Sequence, residues 1–158
     1  MVGVQHIEGG MEAHRLRIAI VAARYNDFII ASLLKGATAA WAKHGGAASD
    51  LTIVRVPGAF ELPVACKRLA ATGRYGAIVA LGCVIRGDTA HFDYVAGEAA
   101  AGLTRAQLDT NVPVVFGVLT VENVEQALER AATSRMNKGG ESMEVALEMA
   151  NLFRKIPG

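Results

Sequence analysis

Apolar residues fall in short blocks that switch between strand and helix spacing along the chain. Leu16 to Ala22 is a continuous apolar run broken only by Arg17, which predicts a buried strand. Beyond it Phe28, Ile29, Leu33, Leu34, Ala37 and Trp41 recur at helical spacing. Asn26 or Asp27 is placed to cap that helix, and Gly45-Gly46 to end it. Leu51 to Val56 is β-branched and partly alternating, a second strand. Pro57-Gly58 turns the chain, Pro63 fits the first turn of another helix, and Gly73 closes it. Ala77 to Val84 reads as the third strand, followed by a long helix from Thr89 to Leu108, and Pro113 to Leu119 as the fourth. Asn123 opens a short helix through Ala132, and Asn137 to Gly140 interrupts the pattern before a last helix, Glu141 to Arg154.

Strand–helix units joined by short loops predict a single α/β, flavodoxin-like three-layer domain: a four-stranded parallel sheet with helices on both faces and right-handed crossovers. The domain is expected over residues 15–158. Residues 1–14, polar and Gly-rich, are expected to form an N-terminal arm that is flexible or packs on a neighbouring subunit. Sheets of this kind bind ligands at the carboxyl ends of their strands. The rule selects Tyr25 and Asn26, Gly58 to Glu61, Cys83 to His91, and Thr120 to Asn123, and it predicts that these four loops converge on one edge.

Composition narrows the function classes. A chain of 158 residues, 52% apolar and 6% aromatic, can build one domain with a real core. Its net charge of +1 gives no bulk electrostatic reason to expect nucleic acid or an acidic membrane surface as partner. No apolar run is long enough to span a bilayer, and no signal-peptide pattern precedes the first strand, so a cytoplasmic protein is expected. Cys66 and Cys83 form no C-x-x-C and no histidines sit at metal spacing, so no metal is expected and the thiols read as small buried groups.

The most telling stretch is Gly82-Cys-Val-Ile-Arg-Gly-Asp-Thr-Ala-His-Phe-Asp-Tyr-Val95. A strand that feeds a helix through a Gly-flanked loop leaves backbone N–H groups free for an anion. His91 falls in the first turn of that helix, and histidine is the side-chain type that changes charge near neutral pH. Together they suggest proton transfer on a phosphorylated substrate. The loop also approaches a nucleotide-binding P-loop, but Asp88 stands where the lysine would bridge the phosphates, which rules against ATP or GTP. Around this loop Tyr25 offers an aromatic face for a flat ring, with Phe60 and Phe116 as further apolar candidates; Tyr25 and Phe116 read alternatively as core. Glu61, with backbone groups near Ala59, can read hydroxyls or ring N–H groups, or Glu61 only complements a helix dipole. Arg130 and Lys138 can reach a phosphate; equally, Arg130 is a helix C-terminal cation and Lys138 a solvated loop residue. His91 itself is either a reactive imidazole or a structural one paired with Asp88 or Asp93.

Five collinear motifs resemble the lumazine synthase family. They are Arg24-Tyr-Asn-Asp-Phe-Ile29, Val56-Pro-Gly-Ala-Phe-Glu-Leu-Pro63, the Gly82–Val95 stretch, Phe116-Gly-Val-Leu-Thr-Val-Glu-Asn123, and Glu125-Gln-Ala-Leu-Glu-Arg-Ala131 followed by Asn137-Lys-Gly139. The resemblance implies condensation of 5-amino-6-(D-ribitylamino)uracil with 3,4-dihydroxy-2-butanone 4-phosphate, the penultimate step of riboflavin synthesis, without metal or organic cofactor. It implies that Tyr25 stacks on the pyrimidine, that Ala59, Phe60 and Glu61 hold the ribityl chain, and that Cys83, Val84 and Ile85 line the ring edge through their backbone. Asp88 and Thr89 then seat the phosphate by backbone N–H groups, and His91 transfers protons. Phe116 and Arg130 arrive from a neighbouring subunit, with Lys138 close by. The same resemblance implies a homopentamer, open to assembly of twelve pentamers into a sixty-subunit shell, and association with riboflavin synthase. The segment Arg130-Ala-Ala-Thr-Ser-Arg-Met-Asn137 departs from the Gly- and Lys-rich version typical of shell-forming members, without a change of length. A non-catalytic flavin-binding or shell-forming homologue is the alternative, distinguished by absence of turnover.

Overall fold

The computed structural model describes residues 2–158 and consists of one four-stranded, all-parallel sheet between two layers of helices. The strands are β1 (Ile18–Ala23), β2 (Leu51–Val56), β3 (Ala77–Ile85) and β4 (Val114–Val121), in the spatial order β2-β1-β3-β4. The helices are α1 (Asp27–Lys43), α2 (Leu62–Ala70), α3 (His91–Thr110), α4 (Val124–Ala131) and α5 (Lys138–Lys155), with single 3-10 turns at Ala48–Asp50 and Ala59–Glu61. The central strands β1 and β3 are buried almost throughout, as their unbroken apolar runs require. On one face α1, α4 and α5 cover a core that includes Ile18, Ile20, Leu33, Trp41 and Met143; on the other α2 and α3 cover Val21, Leu62, Ile78 and Leu103. After β1 the chain moves outward to β2 and then returns past β1 to β3. The gap between β1 and β3 is therefore the switch point, where a ligand cleft is expected.

Two sequence expectations are corrected by packing. Phe28, read as core, is 72% exposed, while Ile30 is fully buried. With three apolar residues in a row, α1 turns Ile29 and Ile30 inward rather than Phe28. The interruption at Asn137 to Gly140 is instead the start of α5. Asn137 caps it in a left-handed conformation (φ 47), its side-chain oxygen accepting the Gly140 N–H at 3.3 Å.

Gly139 is needed there for close approach. A Cβ at this position would lie 2.7 Å from the Leu33 carbonyl carbon and overlap its oxygen, so the first turn of α5 rests directly on the backbone of α1. Helix propensity alone would make Gly139→Ala stabilising by about 1 kcal/mol. The backbone clash outweighs it, and we expect a net loss of about 2 kcal/mol, seen as a thermal midpoint lower by roughly 4–8 °C. A midpoint at or above the parent's would show that the two helices can separate at no cost.

The start of the chain runs along α5. Asn151 donates from Nδ2 to the carbonyls of Gly10 (3.0 Å) and Glu12 (2.9 Å), and Lys155 to that of Glu8 (2.7 Å). Among the described residues, no helix is long and apolar enough to cross a membrane.

Candidate active site

The carboxyl ends of β1 and β2 are stitched together by main-chain bonds. The Arg24 N–H donates to the carbonyls of Val56 (2.8 Å) and Pro57 (3.0 Å), and the Tyr25 N–H to Pro57 (2.8 Å). The Tyr25 ring then leans on Gly58, where a Cβ would come within 2.6 Å of Cδ2. The ring is 64% exposed, so Tyr25 is not a core residue. Glu61 closes the next turn by accepting the Gly58 N–H on Oε1 at 2.8 Å, which leaves its second oxygen outside that bond. Asn26 takes a left-handed conformation (φ 63, ψ 43) at the head of α1 but makes no side-chain cap. Its amide instead donates to the Cys83 carbonyl at 2.9 Å, tying the loop after β1 to the end of β3.

His91 is the first residue of α3, exposed, with its backbone N–H facing the Thr89 hydroxyl at 3.3 Å. Its imidazole has no hydrogen bond or ion pair among the described residues, so the structural pairing with Asp88 or Asp93 does not form. Asp93 is taken by Arg86, whose guanidinium meets it at 3.4 Å, meets Glu122 at 2.9 Å, and lies 4.3 Å from the centroid of the Phe92 ring. The Arg86 N–H donates to the Val121 carbonyl at 2.9 Å. Arg86 thereby neutralises two carboxylates beside the 86–90 loop and holds that loop against β4.

These elements wall a hollow of about 360 Å³ lined by Tyr25, Gly58, Ala59, Phe60, Glu61, His91, Tyr94 and Val95. Tyr94 was not anticipated, although it stands one helical turn beyond His91 on the same face of α3. Cys83, Val84 and Ile85 are the last residues of β3; they and the loop residues Asp88 and Thr89 lie outside the walls of this hollow. Phe116, Arg130 and Lys138 lie elsewhere. They line a second hollow of about 280 Å³ with Thr120, Glu141 and Ser142. The four carboxyl-end loops thus do not converge on one cleft. β4 is an edge strand, and the helices that carry Arg130 and Lys138 lie on the face opposite α3. Phe116 is 46% exposed, so it too is not core. Arg130 sits in the last turn of α4 and donates to the Gln126 carbonyl at 3.2 Å, and Lys138 pairs with Glu141 at 3.0 Å.

An imidazole without a hydrogen bond or ion pair among the described residues stands over an aromatic-walled hollow at the switch point, where an α/β enzyme of this architecture seats its ligand. Residues 15–154 match the family model described as 6,7-dimethyl-8-ribityllumazine synthase. The chain belongs to that family. It is 51% identical over 151 residues to the 6,7-dimethyl-8-ribityllumazine synthase of Chlorobium phaeovibrioides, covering 96% of this chain and 97% of the relative. It is 50% identical over 156 residues to the protein of the same name from Nitratidesulfovibrio vulgaris, covering 99% and 100%. Against the one from Chlorobaculum tepidum the identity is 48% over 153 residues, covering 97% and 99%.

Both thiols are free and buried. Burial pushes Cys83 up to about 11 and Cys66 up to about 12, so both are protonated at neutral pH. Raised folded-state values favour the folded chain below the unfolded thiol pKa of about 8.5, a contribution lost as the pH climbs through the folded values. Native protein at pH 8 is therefore expected to react with a disulfide reagent only after denaturation; rapid labelling of either cysteine in the native state would contradict the burial.

Proposed function

We propose that this chain is a lumazine synthase, condensing 5-amino-6-(D-ribitylamino)uracil with 3,4-dihydroxy-2-butanone 4-phosphate into 6,7-dimethyl-8-ribityllumazine with release of phosphate and water. The observation that carries the reading beyond family membership is the complementarity of the two hollows. One offers aromatic faces and an imidazole but no cation among its lining residues; the other offers Arg130 and Lys138 but no imidazole. Neither serves a phosphorylated substrate alone. A head-to-tail ring brings the β4 edge of one copy to the His91 hollow of the next and completes one site at every interface. The family expectation of a pentamer supplies such a ring.

In that site Tyr25 stacks on the pyrimidine, Ala59, Phe60 and Glu61 hold the ribityl chain, and the backbone of Cys83, Val84 and Ile85 faces the ring edge. The N–H groups of Asp88 and Thr89 meet the phosphate from one side. The neighbour's Arg130 meets it from the other, with its Lys138 nearby and its Phe116 against the ring. Imine formation, phosphate elimination and ring closure each move protons between nitrogen, carbon and oxygen. An exposed imidazole held at the rim can take and return them. Phosphate departure is stabilised by the fixed N–H groups and the guanidinium, and holding two reactive partners together supplies much of the remaining rate. The finer family expectations belong to the same reading: a cytoplasmic enzyme, closure of twelve pentamers into a sixty-subunit shell, and docking to riboflavin synthase.

The direct test is an absorbance assay for lumazine formation from the two substrates, with protein free of bound flavin; no product at any concentration would end the reading. A finer test separates stacking from hydrogen bonding. Tyr25→Phe should leave the KM for the pyrimidine nearly unchanged, and Tyr25→Ala should raise it by about tenfold, the worth of one aromatic contact of ~1.5 kcal/mol. Equal increases in both would assign the role to the hydroxyl.

A further inference from the structure

The opposite, amino-terminal edge of the sheet carries a feature the reaction does not use. Arg15 and Arg17 lead into β1, Arg74 precedes β3, and Arg154 lies in the last turn of α5; the four line one hollow of about 280 Å³. Arg154 is structural, its guanidinium donating to the carbonyls of His14 and Arg15 and so closing the turn before β1. Arg17 faces Asp50 at 3.5 Å while its side chain stays 66% exposed. Arg15 and Arg74 have no side-chain hydrogen bond or ion pair among the described residues. One carboxylate thus pairs with the whole set, in a chain whose net charge is only +1.

Helix dipoles account for a cation at Arg154, in the last turn of α5, but not at Arg74, which lies in the loop beyond α2. They do not account for Arg15 and Arg17 at the start of a strand. Arg15 also holds a positive φ of 64°, and the other non-glycine residues with positive φ are Asn26, Asn111 and Asn137, of the type that tolerates it. An arginine kept where glycine would be free of strain, beside a hollow already rich in guanidinium groups, points to a use for its charge.

We propose that this hollow is a second anion site, separate from the catalytic one and fitted to a diphosphate group. Guanidinium forks match phosphate oxygens in pairs, and Arg15, Arg74 and the half-committed Arg17 offer more donors than one phosphate accepts. The guanidinium groups gather at one open hollow and form no continuous stripe of charge such as the backbone of a nucleic acid would follow, which suits a small ligand.

The test is titration calorimetry of the intact oligomer carrying Arg130→Ala, which removes the phosphate-gripping arginine of the proposed catalytic site. Pyrophosphate is the probe, and sodium chloride sets a fixed ionic strength. Adding Arg15→Gly or Arg74→Gln should weaken binding roughly tenfold each. Arg15→Gly should leave the unfolding midpoint in chloride unchanged or raise it, since glycine is free at that φ. Both substitutions in the otherwise natural chain should leave lumazine formation intact, and the pyrophosphate titration reads the anion site whether or not the catalytic reading holds. Adenosine diphosphate bound at least as tightly as pyrophosphate identifies a nucleotide as the source of the group; its rejection identifies free diphosphate. Absence of pyrophosphate binding, binding within twofold of the parent in both variants, or orthophosphate or an acidic peptide bound more tightly than pyrophosphate would each overturn the proposal.

Discussion

Arg130→Ala is expected to raise the KM for the butanone phosphate by about 10²-fold, the worth of a charge-assisted, forked contact to phosphate of ~2–3 kcal/mol. The KM for the pyrimidine should stay where it was. Among the described residues the Arg130 side chain makes a single hydrogen bond, to the Gln126 carbonyl, from the last turn of α4. Its part in stability is therefore the helix-end charge, worth under ~1 kcal/mol. Arg130→Lys keeps that charge but loses the fork, and should fall between the two. Equal damage to both substrates would instead mean that Arg130 shapes the fold of the site and does not grip the phosphate.

His91→Ala is expected to slow turnover by up to about 10²-fold, the lower range for a lost acid–base group, because the positioning of the substrates survives. The exposed imidazole makes no hydrogen bond or ion pair among the described residues, so the folded state should be unaffected. Refolding His91→Ala and Arg130→Ala chains together in equal amounts then tests the shared site. Each half of a site is unaltered with odds of about one in two, so roughly a quarter of the sites should be whole. Activity should rise above the mean of the two parents toward that level. If native mass spectrometry shows mixed rings and the activity still equals the mean, His91 and Arg130 serve the same chain's pocket.

The elements most legible in the sequence were those buried on both sides. β1 and β3 announce themselves as unbroken apolar runs, and β2 occupies the predicted residues Leu51–Val56. What was hidden depends on packing between elements distant in the chain. Gly139-Gly140 looked like a break because a glycine signals a loop unless a second backbone is known to press on it, as Leu33 does here. Asn26 looked like a cap because nothing local reveals the Cys83 carbonyl that takes its amide. The strand-end rule selected Tyr25, Gly58 to Glu61 and His91 of the first hollow but only Thr120 of the second, whose Phe116, Arg130 and Lys138 were separate candidates around the loop. It could not divide the two hollows, because the division follows from which sheet face α3, α4 and α5 cover. Tyr94 is different: its place one turn after His91 was readable from the sequence.

The separation of His91 from Arg130 on a single chain has a consequence for measurement. A site completed only across an interface obeys mass action, so its abundance follows the fraction of chains in rings and not the total amount of folded protein. Specific activity should then fall on dilution below the ring's dissociation constant and return on reconcentration, while the spectroscopic signature of folding stays constant. If the site is shared as proposed, isolated folded subunits would be catalytically silent, each carrying two halves of different sites.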